Sequence, residues 1–423
     1  MHLLLILILV FVGSAILSIA LIWLRWRELW TPGLVRANLA EFRVEQNKLR
    51  LGESFLSREV LHPYLGYVFN PAADEAAWKA CGSEKQPVNS FGLLSEKPEL
   101  PRRSPGKVII AVFGGSVAEH LAYDNVDALT AAFKSAGMFG DREIEIHCMA
   151  IAGFKQPQQL AELTYFRSLG AEFDVVINLD GFNEVALHPA ENAFKGICHS
   201  FPRAWASRSA TRIDPGQIFL FGQLAVVQQT RERLWNVLNH PAVRLMPQIY
   251  YAVRLYETEL RSRKSRIIKS IRQFRPPTEE NLNAALRQDT SGAKQLVELW
   301  SRSSALMNAL CQSAQMRYFH FLQPNQYVPN SKPLSEEELA SAYDPNHPYR
   351  PGVLEGYPLL KSAGGALREG GVSFTDLTEL FKDSRQTVYS DRCCHFNRTG
   401  NEMIARAIAR EIGISESTPG VAT

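Results

Sequence analysis

A serine and a histidine, carried by two distant segments, are the side chains best placed for chemistry in this chain. In Phe113-Gly114-Gly115-Ser116-Val117-Ala118 the serine stands where an apolar run gives way to a helical pattern. A serine on such a turn is held out at the C-terminal edge of a sheet. The helix N-terminus behind it favours developing negative charge, and the glycines permit a tight turn and close substrate approach. A hydroxyl is a weak nucleophile without a base. The segment Ser390-Asp391-Arg392-Cys393-Cys394-His395-Phe396-Asn397 supplies one in His395. Asp391 precedes it closely enough to fix the imidazole tautomer and stabilise the imidazolium. Such a set would perform acyl transfer.

Attack on an acyl carbonyl also needs donors for the oxyanion. Gly153, in Ala150-Ile151-Ala152-Gly153-Phe154, offers an unobstructed backbone N–H, and Asn183, in Asp180-Gly181-Phe182-Asn183-Glu184, offers a side-chain amide. Each segment follows a predicted strand, where open α/β sheets place their sites. A phosphate-cradling loop would need Gly-Lys-Ser/Thr after the glycines, which is absent here. Asp180 and Glu184 read as solvated loop carboxylates rather than an acid/base pair, and Lys155 as a solvated lysine. Cys393 and Cys394 read as buried thiols, with a bridge from one of them to Cys198 as the alternative in an oxidising compartment. The histidines outside the site have no metal-ligand spacing, so neither metal nor organic cofactor is expected.

In their chain order these residues resemble the blocks of the SGNH (GDSL-like) hydrolases. The resemblance covers about residues 107–412, less an insertion. It implies that Ser116 is the nucleophile, Gly153 and Asn183 join the Ser116 N–H in the oxyanion hole, and Asp391 with His395 forms the acid–base pair. Two departures stand out: Gly-Gly-Ser in place of Gly-Asp-Ser, and Asp391 four residues before His395 rather than the commoner three. The resemblance implies a serine esterase on an acylated sugar, lipid or small ester, and a flavodoxin-like strand order of 2-1-3-4-5. O-acyl transfer to a glycan would use the same residues. A non-catalytic, membrane-tethered glycan- or partner-binding module is the reading from another class.

The elements that must hold these residues follow from periodicity. Short apolar runs predict parallel strands at Lys107–Phe113, Glu143–Cys148, Phe173–Leu179, Met316–Leu322 and Val372–Leu377. Helical patterns lie at Val117–Lys134, Pro157–Leu169, Lys294–Ala314 and Gly400–Ile412. The alternation predicts a three-layer α/β/α sandwich with a five-stranded parallel sheet. Residues 31–106 are a turn-rich lead-in expected to pack on that core. The hydrolase domain would run over 107–199 and 291–415, interrupted by a helical insertion at 200–290, with 416–423 as a disordered tail. In the insertion Val253, Tyr256, Leu260, Ile267, Ile271 and Phe274 form an apolar stripe, and Arg261, Arg263, Lys264, Arg266, Lys269 and Arg272 a basic one. The basic stripe reads as a solvated face, with an anionic membrane surface as the alternative.

The 423 residues are 46% hydrophobic and 21% charged, which excludes wholesale disorder. A net charge of +3 excludes nucleic-acid binding by bulk charge. That total is an average, because residues 200–290 hold 15 Lys/Arg against 7 Asp/Glu, net +8, and the rest is at −5. Leu3–Leu24 has no charged residue and predicts a transmembrane signal anchor within 1–30, bound to the lipid bilayer through residues 3–24. Trp23, Trp26 and Trp30 suit its interface. Arg25, Arg27 and Arg36 after the span favour a cytoplasmic domain. Anchored relatives in the family mostly face the envelope, so the resemblance implies an extracytoplasmic (periplasmic) one, which is the expectation adopted.

Overall fold

The computed structural model describes residues 58–80, 83–205, 208, 215–240, 243, 247–273 and 292–417. The expected anchor and Phe274 lie outside them, as do the start of the lead-in and residues 418–423. Among the described residues no helix is long and apolar enough to cross a membrane.

In chain order the elements are β1 (Glu59–His62), β2 (Gly66–Phe69), α1 (Glu75–Ala80), β3 (Lys107–Gly114), α2 (Ser116–Glu119), α3 (Val126–Ser135), β4 (Glu143–Cys148), α4 (Gln158–Ser168), β5 (Val175–Asp180) and α5 (Phe182–Leu187). Then come α6 (Pro215–Asn239), α7 (Pro247–Gln273), α8 (Ala293–Ser313), β6 (Arg317–Leu322), α9 (Glu336–Ser341), α10 (Arg350–Glu369), β7 (Ser373–Asp376) and α11 (Arg398–Ser417). Two compact units result. One includes Ser209–Pro276, and the other comprises Ser54–Arg208 and Pro277–Thr423.

The larger unit is built on a parallel sheet of order β4-β3-β5-β6-β7. Counted along the chain this is 2-1-3-4-5, as the sequence reading expects. Val108–Phe113 of β3 are at most 1% exposed, because a central strand covered on both faces must be apolar throughout. Helices α3 and α11 pack together on one side of the sheet, and α8 packs with α4, α5 and α10 on the other. The register aligns Phe113 with Asn178 and Gly114 with Leu179. Likewise Val112 lies beside Cys148 and Asp180 beside Leu322. The C-terminal strand ends therefore share one edge, and the candidate residues follow them.

One expectation about the elements needs correction, and two elements go beyond the sequence reading. Val117–Lys134 is not one helix, since α2 passes into a π turn at His120–Asp124 and Asn125 separates that turn from α3. The Asn125 backbone N–H and side-chain amide both donate to the His120 carbonyl, at 3.0 and 2.9 Å, and close that turn. The lead-in carries an antiparallel hairpin, β1–β2, whose Tyr67 and Phe69 are fully buried with Trp78 of α1. Helix α10 was not foreseen, because Pro358 and four glycines (Gly352, Gly356, Gly364, Gly365) depress helix propensity. Packing overrides them: a Cβ on Gly356 would fall 2.4 Å from Val185, and one on Gly364 would fall 2.1 Å from the Phe374 ring.

The smaller unit holds α6 and α7, closed over Val227, Leu260 and Ile267. Arg231 is buried against Glu257 at 2.7 Å. Two residues depart from their expected stripes: Tyr256 is 51% exposed, and Lys264 is buried. Glu257 lies one residue after Tyr256 and takes its place on the inner face.

Candidate active site

The turn that carries Ser116 is shaped by contact between strands. Gly114 has φ +146°, and a Cβ there would meet the Leu179 carbonyl at 2.2 Å, so only glycine lets β3 end against β5 at this point. Gly115 is extended and caps α2, and Ser116 is its first residue. The N–H groups of a helix's first turn have no intrahelical acceptor. Among the described residues neither the Ser116 nor the Gly153 N–H donates to a protein acceptor.

His395 reaches this turn from the far end of the chain. Its Nε2 lies 2.7 Å from Ser116 Oγ, and its Nδ1 lies 2.5 Å from Asp391 Oδ2. The second Asp391 oxygen accepts the N–H groups of Cys393, Cys394 and His395 at 2.9, 3.1 and 3.2 Å. The four-residue spacing thus forms a turn around the carboxylate. Burial disfavours the Asp391 charge, but the hydrogen bond and charge of His395 and these N–H groups outweigh it. The carboxyl is held well below its ordinary range. Burial likewise disfavours the imidazolium, and Asp391 outweighs it, so the His395 pKa is raised.

The loop carrying this pair is fixed at both ends. Tyr389 bridges Phe396, and Phe381, Tyr389 and Phe396 pack ring to ring below. The segment after β6 holds it through three side chains. Gln326 donates to the Asp391 carbonyl at 2.9 Å, Tyr327 to that of Arg392 at 2.6 Å, and Asn325 to that of Cys393 at 3.3 Å. Sequence reasoning missed all three, and their only signal is their position after a predicted strand.

Asn183 and Gly153 meet the same corner. The Asn183 amide donates to the Phe154 carbonyl at 2.7 Å and lies 2.0 Å from where a Gly115 Cβ would be. One of its two N–H bonds holds the loop after β4, and an amide has a second to give. Gly153 has φ +81°, and a Cβ there would fall 2.0 Å from Arg203 Cδ and 2.9 Å from Tyr67 Oη. Arg203 is held by Glu191 at 2.6 and 3.1 Å, and Glu191 also accepts the Tyr349 hydroxyl at 2.7 Å. Tyr67, from the lead-in hairpin, donates to the Ala152 carbonyl at 2.8 Å. Ser116, Gly153, Asn183, Asp391 and His395 are therefore brought to one place.

Two neighbours were not foreseen in these roles. Glu119, one turn after Ser116, accepts the Ala152 N–H at 2.7 Å and ties the nucleophile's helix to the Gly153 loop. Burial pushes its carboxyl up to about 8, opposed by Arg58. The His120 ring lies 4.8 Å from the His395 ring at 30°. Burial and the adjacent His395 bring its pKa down to about 4, so it stays neutral beside the base.

Three residues expected in solvent are instead in the core. Asp180 accepts Trp300 Nε1 at 2.7 Å, His320 Nε2 at 2.8 Å and Asn178 Nδ2 at 2.7 Å. Glu184 accepts the backbone N–H groups of Gly181 and Gln156 at 2.8 and 3.0 Å, and burial followed by the Asp180 charge raises its pKa. Lys155 is 1% exposed, gives its ammonium to the His199 carbonyl at 2.5 Å, and has its pKa lowered to about 8 by burial. Asp180 ties β5 to α8 and β6, whereas Glu184 and Lys155 hold backbone of neighbouring loops. Cys198, Cys393 and Cys394 are free thiols, so no bridge joins them. Among the described residues no group of three or more His, Cys, Asp or Glu could hold a metal ion.

The chain matches no family model and no curated protein sequence. Among solved structures it is similar to the lipase/acylhydrolase from Enterococcus faecalis, at 11% identity and a TM-score of 0.35 over 73% of this chain and 96% of that one. It is also similar to an acetylxylan esterase from Geobacillus stearothermophilus, at 9% identity and a TM-score of 0.34 over 72% of this chain and 94% of that one.

Proposed function

We propose that this chain is a membrane-anchored serine esterase or acylhydrolase of the SGNH type. Its anchor would be residues 3–24, its catalytic domain would be extracytoplasmic, and its substrate an acylated sugar, lipid or small ester. The observation that carries the reading is the hydrogen-bonded chain from Ser116 Oγ through His395 to Asp391.

Ser116 gives its proton to His395 Nε2 as its Oγ attacks the acyl carbonyl. Negative charge then forms on the carbonyl oxygen. The Ser116 and Gly153 N–H groups and the second Asn183 N–H are the donors suited to it, each worth about 2.7–4 kcal/mol by analogy with measured oxyanion holes. The imidazolium, stabilised by Asp391, returns the proton to the leaving alcohol. Water then attacks the acyl-enzyme by the same route and frees the acid.

The test is a fluorophosphonate probe on the native full chain, with peptide mapping, beside turnover of a p-nitrophenyl ester. Labelling at Ser116 and loss of both signals in Ser116→Ala support the reading. Wild-type turnover in that variant overturns it.

A further inference from the structure

The unit containing Ser209–Pro276 takes no part in the chemistry above. Those 68 residues carry 12 Lys/Arg and 4 Asp/Glu, net +8. The Arg231–Glu257 bridge sets the register of the α6–α7 hairpin, in which Val226 stands about level with Arg263. On α6, Phe219, Val226 and Val237 are spaced by seven and eleven residues, so at 3.6 per turn they fall on one line. They are 64%, 64% and 41% exposed. On α7, exposed Tyr256 and Arg263 form a second line seven residues apart, with exposed Arg266 beside it.

Both lines lie roughly a quarter-turn from the buried seam, in the same rotational sense. The helices run in opposite directions, so the same sense brings both lines to one flank of the hairpin. That flank alternates apolar side chains with guanidinium groups. Among the described residues its one carboxylate, Glu259, is met by Arg266 at 2.9 Å. Phe219 to Val237 spans about 27 Å of helix.

We propose that this flank lies on an anionic lipid surface, with the apolar side chains entering the headgroup–acyl boundary and Arg263 paired with a lipid phosphate. Charge complementarity argues for this occupant: apolar groups spaced along a whole helix with cations between them suit a layer that offers acyl chains and phosphates at every point. The proposal does not depend on esterase activity.

The test uses the full chain reconstituted in vesicles, with p-benzoylphenylalanine replacing Val226 or, on the opposite flank, Phe221. Illumination in phosphatidylcholine vesicles containing phosphatidylglycerol should give lipid adducts at Val226 and few at Phe221. Pure phosphatidylcholine should give several-fold fewer at Val226. Arg263→Gln should lower the Val226 yield by about fivefold, since one basic group near an anionic surface is worth about 1 kcal/mol. Equal yields at both positions, indifference to phosphatidylglycerol, or adducts to protein alone at Val226 would each overturn the proposal, the last pointing to a second copy or a protein partner.

Discussion

Asp391 meets His395 with both carboxylate oxygens engaged. One takes the ring Nδ1 at 2.5 Å, and the other gathers three successive backbone N–H groups that end with that of His395 itself. The acid is thereby locked to the backbone that carries its base. This explains how a spacing of four serves where three is commoner. The four-residue turn closes around one carboxylate oxygen and leaves the other facing the ring.

The first consequence concerns pH. His395 must be neutral to accept the Ser116 proton, and its pKa is raised above the ordinary 6.5. Then kcat/KM should fall as pH drops through a midpoint above 6.5. Asp391→Asn should move that midpoint down and cut kcat by about 10⁴-fold, the loss seen when the wrong tautomer is fixed. The pair also contributes to folding. Asp391's part is lost as pH falls below its ordinary 3.8, and His395's part as pH rises through its raised value. A pH–rate profile read beside urea melts at several pH values checks both.

Asn183→Ala should lower kcat by about 10²–10³-fold with little change in KM, as for removal of one oxyanion donor. Gly115→Ala should do the same from the other side. Its new methyl would fall 2.0 Å from the Asn183 amide and displace it. Steady-state kinetics on a p-nitrophenyl ester separates kcat from KM.

Gly153→Ala meets a left-handed backbone and collisions with Arg203 and the Tyr67 hydroxyl. Adding Arg203→Ala should relieve only the Arg203 collision. The double variant should then recover part of the lost kcat, and full recovery or none would refute this assignment of causes. A double-mutant cycle in kcat measures it.

Glu119 should govern the alkaline side. Its carboxyl ionises near pH 8, placing negative charge against the Ala152 N–H, one residue from Gly153. Turnover should decline above about pH 8. Glu119→Gln keeps an acceptor for Ala152 without the charge and should flatten that decline. An unchanged alkaline limb would assign it to another group.

Asp180→Ala should destabilise the fold in urea unfolding by about 1–3 kcal/mol for each buried group it strands, because Trp300, His320 and Asn178 all lose their shared acceptor.

The sequence revealed those parts of the fold whose cause is local. Lys107–Phe113 is apolar at every position because a central parallel strand must be, and β4 matched its expected bounds. Ser116, Gly153, Asn183 and His395 were visible because each follows such a strand. The fates of Asp180, Glu184 and Lys155 were not visible, since burial depends on partners from distant elements: Trp300 and His320 for one, Gln156 for the next, the His199 carbonyl for the last. The clamp of Asn325, Gln326 and Tyr327 was hidden for the same reason, and α10 because its glycines serve packing rather than propensity.

All five strands of the sheet are complete by Asp376, whereas His395, the proposed base, follows 279 residues after Ser116, the proposed nucleophile. On the ribosome, Ser116 therefore emerges long before the group that can activate it. A nascent chain can lay down its whole sheet before the proposed base has been made, so the order of synthesis separates building the scaffold from assembling the proposed active site.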